Sequence, residues 1–294
     1  MLGRQPGERE TVTAINSLAS PDEATNRPRL RTALVLSAGA MFGAYQAGVW
    51  KALEGRISID VVIGASVGCL NGWAIAAGMP AASLADRWLT LEEASRFRLR
   101  WPRRLLDGFA QADYLRAWIQ ELHSGLQPTC EYGVVLTRVW PFRPLLVKHP
   151  QVTWQHLAAS CAMPLVFPHY RLDGHLFTDG GLMQALPLWA VEEFECERVI
   201  AVNVLPTVPF PGGAVAKRVM RSLSDYPQPP TCAELLSIQP KRPLGGVRDF
   251  LLWKRENAER WLRQGHDDAL HRLGLAGGDT ARHMVVKPMD ARGA

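Results

Sequence analysis

Cysteine is scarce and never clustered: Cys69, Cys130, Cys161, Cys196 and Cys232 stand apart, with no C-x-x-C pair among them. That excludes the ligand spacing of a zinc site and offers no disulfide framework, so free thiols in a reducing, cytoplasmic setting are expected. Long runs of bulky aliphatics are missing too. The uncharged windows Thr32 to Trp50 and Val61 to Ala85 are broken by Gly39, Gly43, Gly48, Gly64, Gly68, Gly72, Gly78 and Pro80, which reads as strands and helices of an α/β core rather than membrane spans. Met1 to Arg31 mixes charge, Pro and Ser without an apolar segment, so a secretory signal is not expected there and a flexible arm is. No repeat of 20 to 50 residues appears, which removes solenoid architectures.

What is present is an apolar fraction of 47% in 294 residues, enough for a substantial core and too much for disorder of the bulk. The net charge of +5 fits an anionic membrane surface or an acidic substrate better than a nucleic acid. The organising stretch is Val61-Val62-Ile63-Gly64-Ala65-Ser66-Val67-Gly68, an apolar strand running into Gly-x-Ser-x-Gly and then into the helical Cys69 to Ala77. Strand, sharp turn and helix in that order form a nucleophile elbow, with Gly64 and Gly68 where a Cβ has no room. Ser66 is then expected at a helix N-terminus, beside backbone amides that favour negative charge.

Around the elbow, Ala33 to Leu36 reads as a central parallel strand, followed by the small-residue loop Ser37 to Gly43 and a helix from about Ala44 that Gly55 stops. Ile57 to Ile63 is predicted as the second strand. Further on come helices over 81–94 and 113–123, strands over 132–137 and 144–147, a helix over 154–161, and a hairpin at Tyr170 to Phe177 whose turn is Asp173-Gly174. A helix over 186–195 and a strand over 199–204 follow, then a long amphipathic helix over 247–273 and a short strand over 284–286. The chain divides into an arm (1–31), an α/β catalytic core (32–205), a proline-rich lid or surface loop (206–246) and a C-terminal helix and strand packing on the core (247–294).

Ester hydrolysis by a serine needs a nucleophile, a base and donors for an oxyanion. Ser66 is the candidate nucleophile. Of two Asp-Gly sites, Asp173 is a hairpin turn facing solvent, whereas Asp179 follows the hairpin's second strand and heads the tight Gly180-Gly181 turn, which makes it the candidate base. Backbone amides of Gly39, Ala40 and their neighbours are the candidate oxyanion donors, on a strand expected to lie beside the elbow strand. The bland alternatives are an Asp179 that only caps a turn and glycines that only permit close packing. His169 and His175 lie near Asp179 in sequence, but neither has a position that triad chemistry demands.

Taken together, Leu36 to Val49, Gly64 to Asn71, and Met163-Pro164 through Asp179-Gly180-Gly181 resemble the patatin-like phospholipase family, over about Leu34 to Val204. The resemblance implies a three-layer α/β/α fold and a Ser-Asp dyad without a catalytic histidine, cleaving carboxylic esters of lipids through an acyl-enzyme. By position it makes Ser66 the nucleophile and Asp179 the base, and puts Gly39 and Ala40 in the oxyanion loop. One departure matters: where the family carries an Arg or Lys before the loop's last Gly, this chain has Phe42, and its glycine run is thinned to Ser37-Ala38-Gly39-Ala40. A weakly active or inactive binding protein on the same scaffold is therefore the second reading. Ala40 is expected to be harmless if its φ stays negative.

No metal or other cofactor is called for. Arg96, Arg98 and Arg100 alternate with Phe97, Leu99 and Trp101, and Arg103 and Arg104 follow, so peripheral contact with an anionic membrane through this segment is an expectation. Its alternative is a solvated charged face. Cys69 and Cys161 are expected as small buried hydrophobes, and Trp253 and Trp261 as anchors of the last helix.

Overall fold

Strands β1 (Thr32–Leu36), β2 (Val61–Ala65) and β3 (Glu131–Arg138) are short apolar runs, and in this computed structural model they lie side by side in parallel. The structure describes residues 29–91, 113–206 and 232–275. Among these, β4 (Arg143–Lys148), β5 (Tyr170–Leu172), β6 (His175–Thr178), β7 (Arg198–Val202) and β8 (Glu234–Ile238) complete one sheet. Its order is β5-β6-β3-β2-β1-β7-β8, with β4 also paired to β3. The strands from β3 to β8 along that path are parallel, while β4, β6 and β5 add antiparallel pairings at one end.

Both faces of the sheet are apolar, as a parallel sheet covered on two sides requires. Leu34, Leu36, Val62, Val134 and Leu136 point into the larger core, and Ala33, Val35, Val61, Ile63 and Val135 into the smaller. Each fully buried aliphatic of this size is worth roughly 1.5–3 kcal/mol. The larger core lies under α1 (Gly43–Leu53), α2 (Val67–Ala76), α3 (Ala81–Leu89), α4 (Asp113–Gly125), α5 (Trp154–Ser160), α6 (Val247–Leu251) and α7 (Arg255–Arg272). The smaller core is covered by a 3-10 helix, Leu188–Phe194. The layers are therefore helix, sheet, helix, as expected.

Several boundaries differ from expectation for identifiable reasons. The second strand starts at Val61, not Ile57, because the amides of Arg56 and Ile57 still bond back to the Leu53 carbonyl and Asp60 caps the start of β1 through the Thr32 amide. The segment 186–195 is a 3-10 rather than an α-helix: Leu188, Val191 and Phe194 face the core at a spacing of three, the 3-10 period. Residues 234–238, read as part of an irregular proline-rich excursion, form β8 against β7. The long last helix is two, separated at Leu252 to Lys254, where the Trp253 indole bonds to the Trp88 carbonyl. Trp261 is fully buried as expected, but Trp253 is only half-buried. The hairpin is as predicted, with Asp173 at φ 46 and Gly174 at φ 76, and Gly55 at φ 70 follows the end of α1. The 284–286 strand, the Arg96 to Arg104 segment and the arm up to residue 28 lie outside the described residues.

α1 and α7 pack at backbone distance. A Cβ on Gly48 would meet the Leu262 carbonyl oxygen at 2.1 Å, and one on Gly265 would meet the Tyr45 carbonyl oxygen at 2.1 Å. The Tyr45 hydroxyl donates to Asp268 Oδ2 (3.0 Å) across the same contact, and burial pushes the Tyr45 phenol far above its usual range. Helix propensity alone would favour Gly265→Ala by about 1 kcal/mol, but the clash is with backbone and cannot be relieved by a rotamer change. The substitution should therefore destabilise by about 1–3 kcal/mol. A higher urea midpoint for Gly265→Ala would contradict this packing.

Candidate active site

The parallel pairing of Leu36 with Gly64 sets the carboxyl ends of β1 and β2 together, so the loop after one and the elbow after the other open on the same side of the sheet. Ser66 caps α2 with φ 54 and ψ −129, a strained conformation for a non-glycine residue. The unusual dihedrals thus fall on the serine itself; the flanking glycines answer a steric need. A Cβ on Gly64 would lie 2.2 Å from the Gly68 carbonyl oxygen, and one on Gly68 2.5 Å from that of Leu36.

Asp179 reaches the serine from 113 residues away: Ser66 Oγ donates to Asp179 Oδ2 at 2.7 Å, both residues being buried. The other carboxylate oxygen, Oδ1, accepts from the Gly181 amide at 2.7 Å. Burial pushes the Asp179 carboxyl up to about 6 from an ordinary 3.8, while the bonds from Ser66 and Gly181 pull it back. The Gly180-Gly181 turn packs against β3 and the β1 loop rather than the elbow, since a Cβ on Gly180 would strike the Val135 carbonyl and one on Gly181 the Ala38 side chain.

Sequence reasoning missed the parts that hold these two residues. Ser160, fully buried at the end of α5, accepts the Ser66 amide (2.9 Å) and donates to the Val135 carbonyl (2.7 Å). The Ala162 carbonyl accepts both the Asp179 amide (3.1 Å) and the Thr178 hydroxyl (2.8 Å). On the other side, Asn71 donates to the Gly43 carbonyl and Gln46 Oε1 and accepts from the Trp88 indole, each at 2.9–3.0 Å. Gln46 in turn donates to the Ser37 carbonyl at 2.6 Å. Short polar side chains on helices carry no signature that separates such a network from a surface.

In the loop after β1, Ala40 has φ 43, so the expectation of a negative φ is corrected: its left-handed backbone is held against a steric cost of about 1–2 kcal/mol. Among the described residues the amides of Gly39, Ala40 and Met41 have no hydrogen-bond acceptor, nor has that of Val67 at the first turn of α2. Gly39 is fitted tightly, a Cβ there meeting Val204 Cγ2 at 2.1 Å. Ala40, Met41, Ser66 and Val67 line one cavity of about 360 Å³, and Gly39 is not among its lining residues. The cavity's other walls are mainly apolar, built from Leu84 and Trp88 of α3, Trp118 and Leu122 of α4, and Leu251 of α6, with Asn71 and Arg87 also among the lining residues. No histidine is among the described residues lining it: His175 sits exposed on the hairpin, hydrogen-bonded to Arg138. Phe42, where a cation was expected by resemblance, is buried against the rings of Phe250 and Trp261. Cys69 and Cys161 are buried, as expected. Among the described residues no three or more His, Cys, Asp or Glu side chains are grouped as a metal site.

A sequence model of the family described as patatin-like phospholipase matches residues 34–191, more than half of the chain. The chain belongs to the patatin-like phospholipase family. The matched range contains Ser66, Asp179 and the loop between β1 and α1, and stops within the 3-10 helix, before β7, β8, α6 and α7. Among solved structures, the fold of this patatin-like chain is similar to VipD from Legionella pneumophila over 85% of this chain and 67% of that one, at 15% identity and a TM-score of 0.51. The type III effector protein ExoU is similar over 84% of this chain and 53% of its own, at 14% identity and a TM-score of 0.41. Among the described residues no helix is long and apolar enough to cross a membrane.

Proposed function

We propose that this chain is a lipid acyl hydrolase of the phospholipase A or esterase type, in which Ser66 attacks the carbonyl carbon of a carboxylic ester and Asp179 takes its proton. The observation that carries the reading is the buried 2.7 Å bond from Ser66 Oγ to Asp179 Oδ2, with Ser66 lining a largely apolar cavity. A carboxylate raised to about 6 is a better proton acceptor than an ordinary one and is still ionised at neutral pH. Attack forms the Oγ–C bond and moves the carbonyl electron pair onto oxygen, where the unbonded amides of the β1 loop and Val67 stand as donors. Collapse expels the alcohol, protonated by Asp179, and leaves an acyl-Ser66 that water hydrolyses with Asp179 again as base. The apolar cavity suits an acyl chain. Tyr114, Leu165 and Leu252, exposed at 49%, 63% and 42%, line the same cavity and suit contact with aggregated lipid. The basic segment with Arg96, Arg98, Arg100 and Trp101, which the same reading assigns to an anionic lipid surface, lies outside the described residues.

The pH dependence tests the base. Asp179 must be ionised to act, so activity is present above its pKa and lost as pH falls through it: kcat/KM for a short p-nitrophenyl ester should drop about tenfold per unit below about pH 6. Between about 6 and 8 it should be flat. A profile that holds its rate down to pH 4 would exclude Asp179 as the base.

A further inference from the structure

The loop that carries the proposed oxyanion donors is strained at Ala40 (φ 43) and exposes amides without acceptors, a conformation that persists only where the surroundings over-determine it. Its leading end is fixed by two main-chain bonds, Ser37 N–H to the Val202 carbonyl and Ala38 N–H to the Ala185 carbonyl, and by the Ser37 hydroxyl, whose Oγ accepts from the Val204 amide. Its trailing end is the 3-10 turn Ala40–Phe42, closed by the Phe42 amide on the Gly39 carbonyl at 2.9 Å. There the Phe42 ring is driven between two edges, with centroids 5.5 Å from Phe250 at 72° and 5.1 Å from Trp261 at 79°. Trp261 is itself fixed by its indole on the Leu244 carbonyl (2.8 Å) and is fully buried. Both partners come from α6 and α7, beyond the matched family segment, and α7 also clamps α1, which begins at the residue after Phe42.

We infer that Phe42 is a positioning residue: the C-terminal helix pair holds the β1 loop in its donor-exposing form through the Phe42–Phe250–Trp261 cluster. This rests on the esterase reading above. Phe42 is not among the residues lining the cavity, so its loss should act on the step where charge develops, not on substrate affinity. Phe42→Ala should lower kcat about 100-fold, the scale of one misplaced oxyanion donor, with KM within about threefold of wild type. Phe42→Leu, which refills most of the space, should recover most of kcat. Phe250→Leu, at a residue that does not itself line the cavity, should lower kcat several-fold with KM again held.

The experiment is kcat and KM on a short p-nitrophenyl ester for these variants, wild type and Ser66→Ala, at a temperature where circular dichroism shows each folded. A folded Phe42→Ala with kcat within twofold of wild type, or one whose loss lies in KM, overturns the inference. If Phe42→Ala does not fold, Phe250→Leu decides it: an unchanged kcat overturns, a lowered kcat at constant KM supports. A wild type no faster than Ser66→Ala would instead remove the esterase reading and the brace with it, an outcome separate from a fast wild type matched by Phe42→Ala.

Discussion

Ser66→Ala should abolish ester hydrolysis, lowering kcat by about four orders of magnitude or more, because no other hydroxyl is bonded to the Asp179 carboxylate among the described residues. The fold should survive, since the strain at φ 54 is a backbone property and the Ser66 amide keeps its bond to Ser160. Asp179 would lose the donor that pulls its carboxyl down, so in this variant it should titrate above about 6. A wild type that hydrolyses a short p-nitrophenyl ester no faster than Ser66→Ala and the uncatalysed reaction would leave the chain as a binding protein on a patatin-like scaffold.

Asp179→Asn should cost activity on a similar scale, about 10⁴-fold, by removing the base without emptying its place. Its second effect has the opposite sign. In the folded protein the Asp179 carboxyl is raised from 3.8 to about 6, so the native state holds a proton through that window that the unfolded chain has released. Wild-type stability from this group is therefore present below about pH 4 and lost as pH rises to about 6; above that, holding the buried charge costs on the order of 3 kcal/mol. Asn carries no charge to bury. Asp179→Asn should match wild type in melting temperature near pH 4 and exceed it above pH 6, by several degrees at pH 8. A variant less stable than wild type at pH 8 would mean that the carboxylate is better compensated than the geometry indicates.

The Gly64-Ser66-Gly68 turn and the pairing candidate Asp179 were legible because each leaves a local mark. Gly64 and Gly68 flank the serine where backbones meet at 2.2–2.5 Å from a would-be Cβ, and no other residue type fits. Asp179 was separable from Asp173 because an Asp-Gly hairpin turn points outward, as the structure has it. The parallel core followed from strands apolar on both faces. The remainder was hidden for physical reasons. β8 carries alternating half-buried residues in a proline-dense neighbourhood, so composition masked a strand that only pairing with β7 defines. The break at 252–254 contains neither Gly nor Pro; it exists because Leu252 turns to the cavity and Trp253 reaches the Trp88 carbonyl. The left-handed Ala40 contradicts local preference and depends on distant packing, and Phe42 reads as a lost cation until Phe250 and Trp261, more than 200 residues later, close around it.

Covalent labelling by a fluorophosphonate, read by peptide mass mapping of the intact protein, addresses the activated serine directly. One adduct is expected, on the peptide that contains Ser66, absent in Ser66→Ala and strongly slowed in Asp179→Asn. An adduct on a different residue, or an esterase that turns over substrate while Ser66 stays unlabelled, would contradict it.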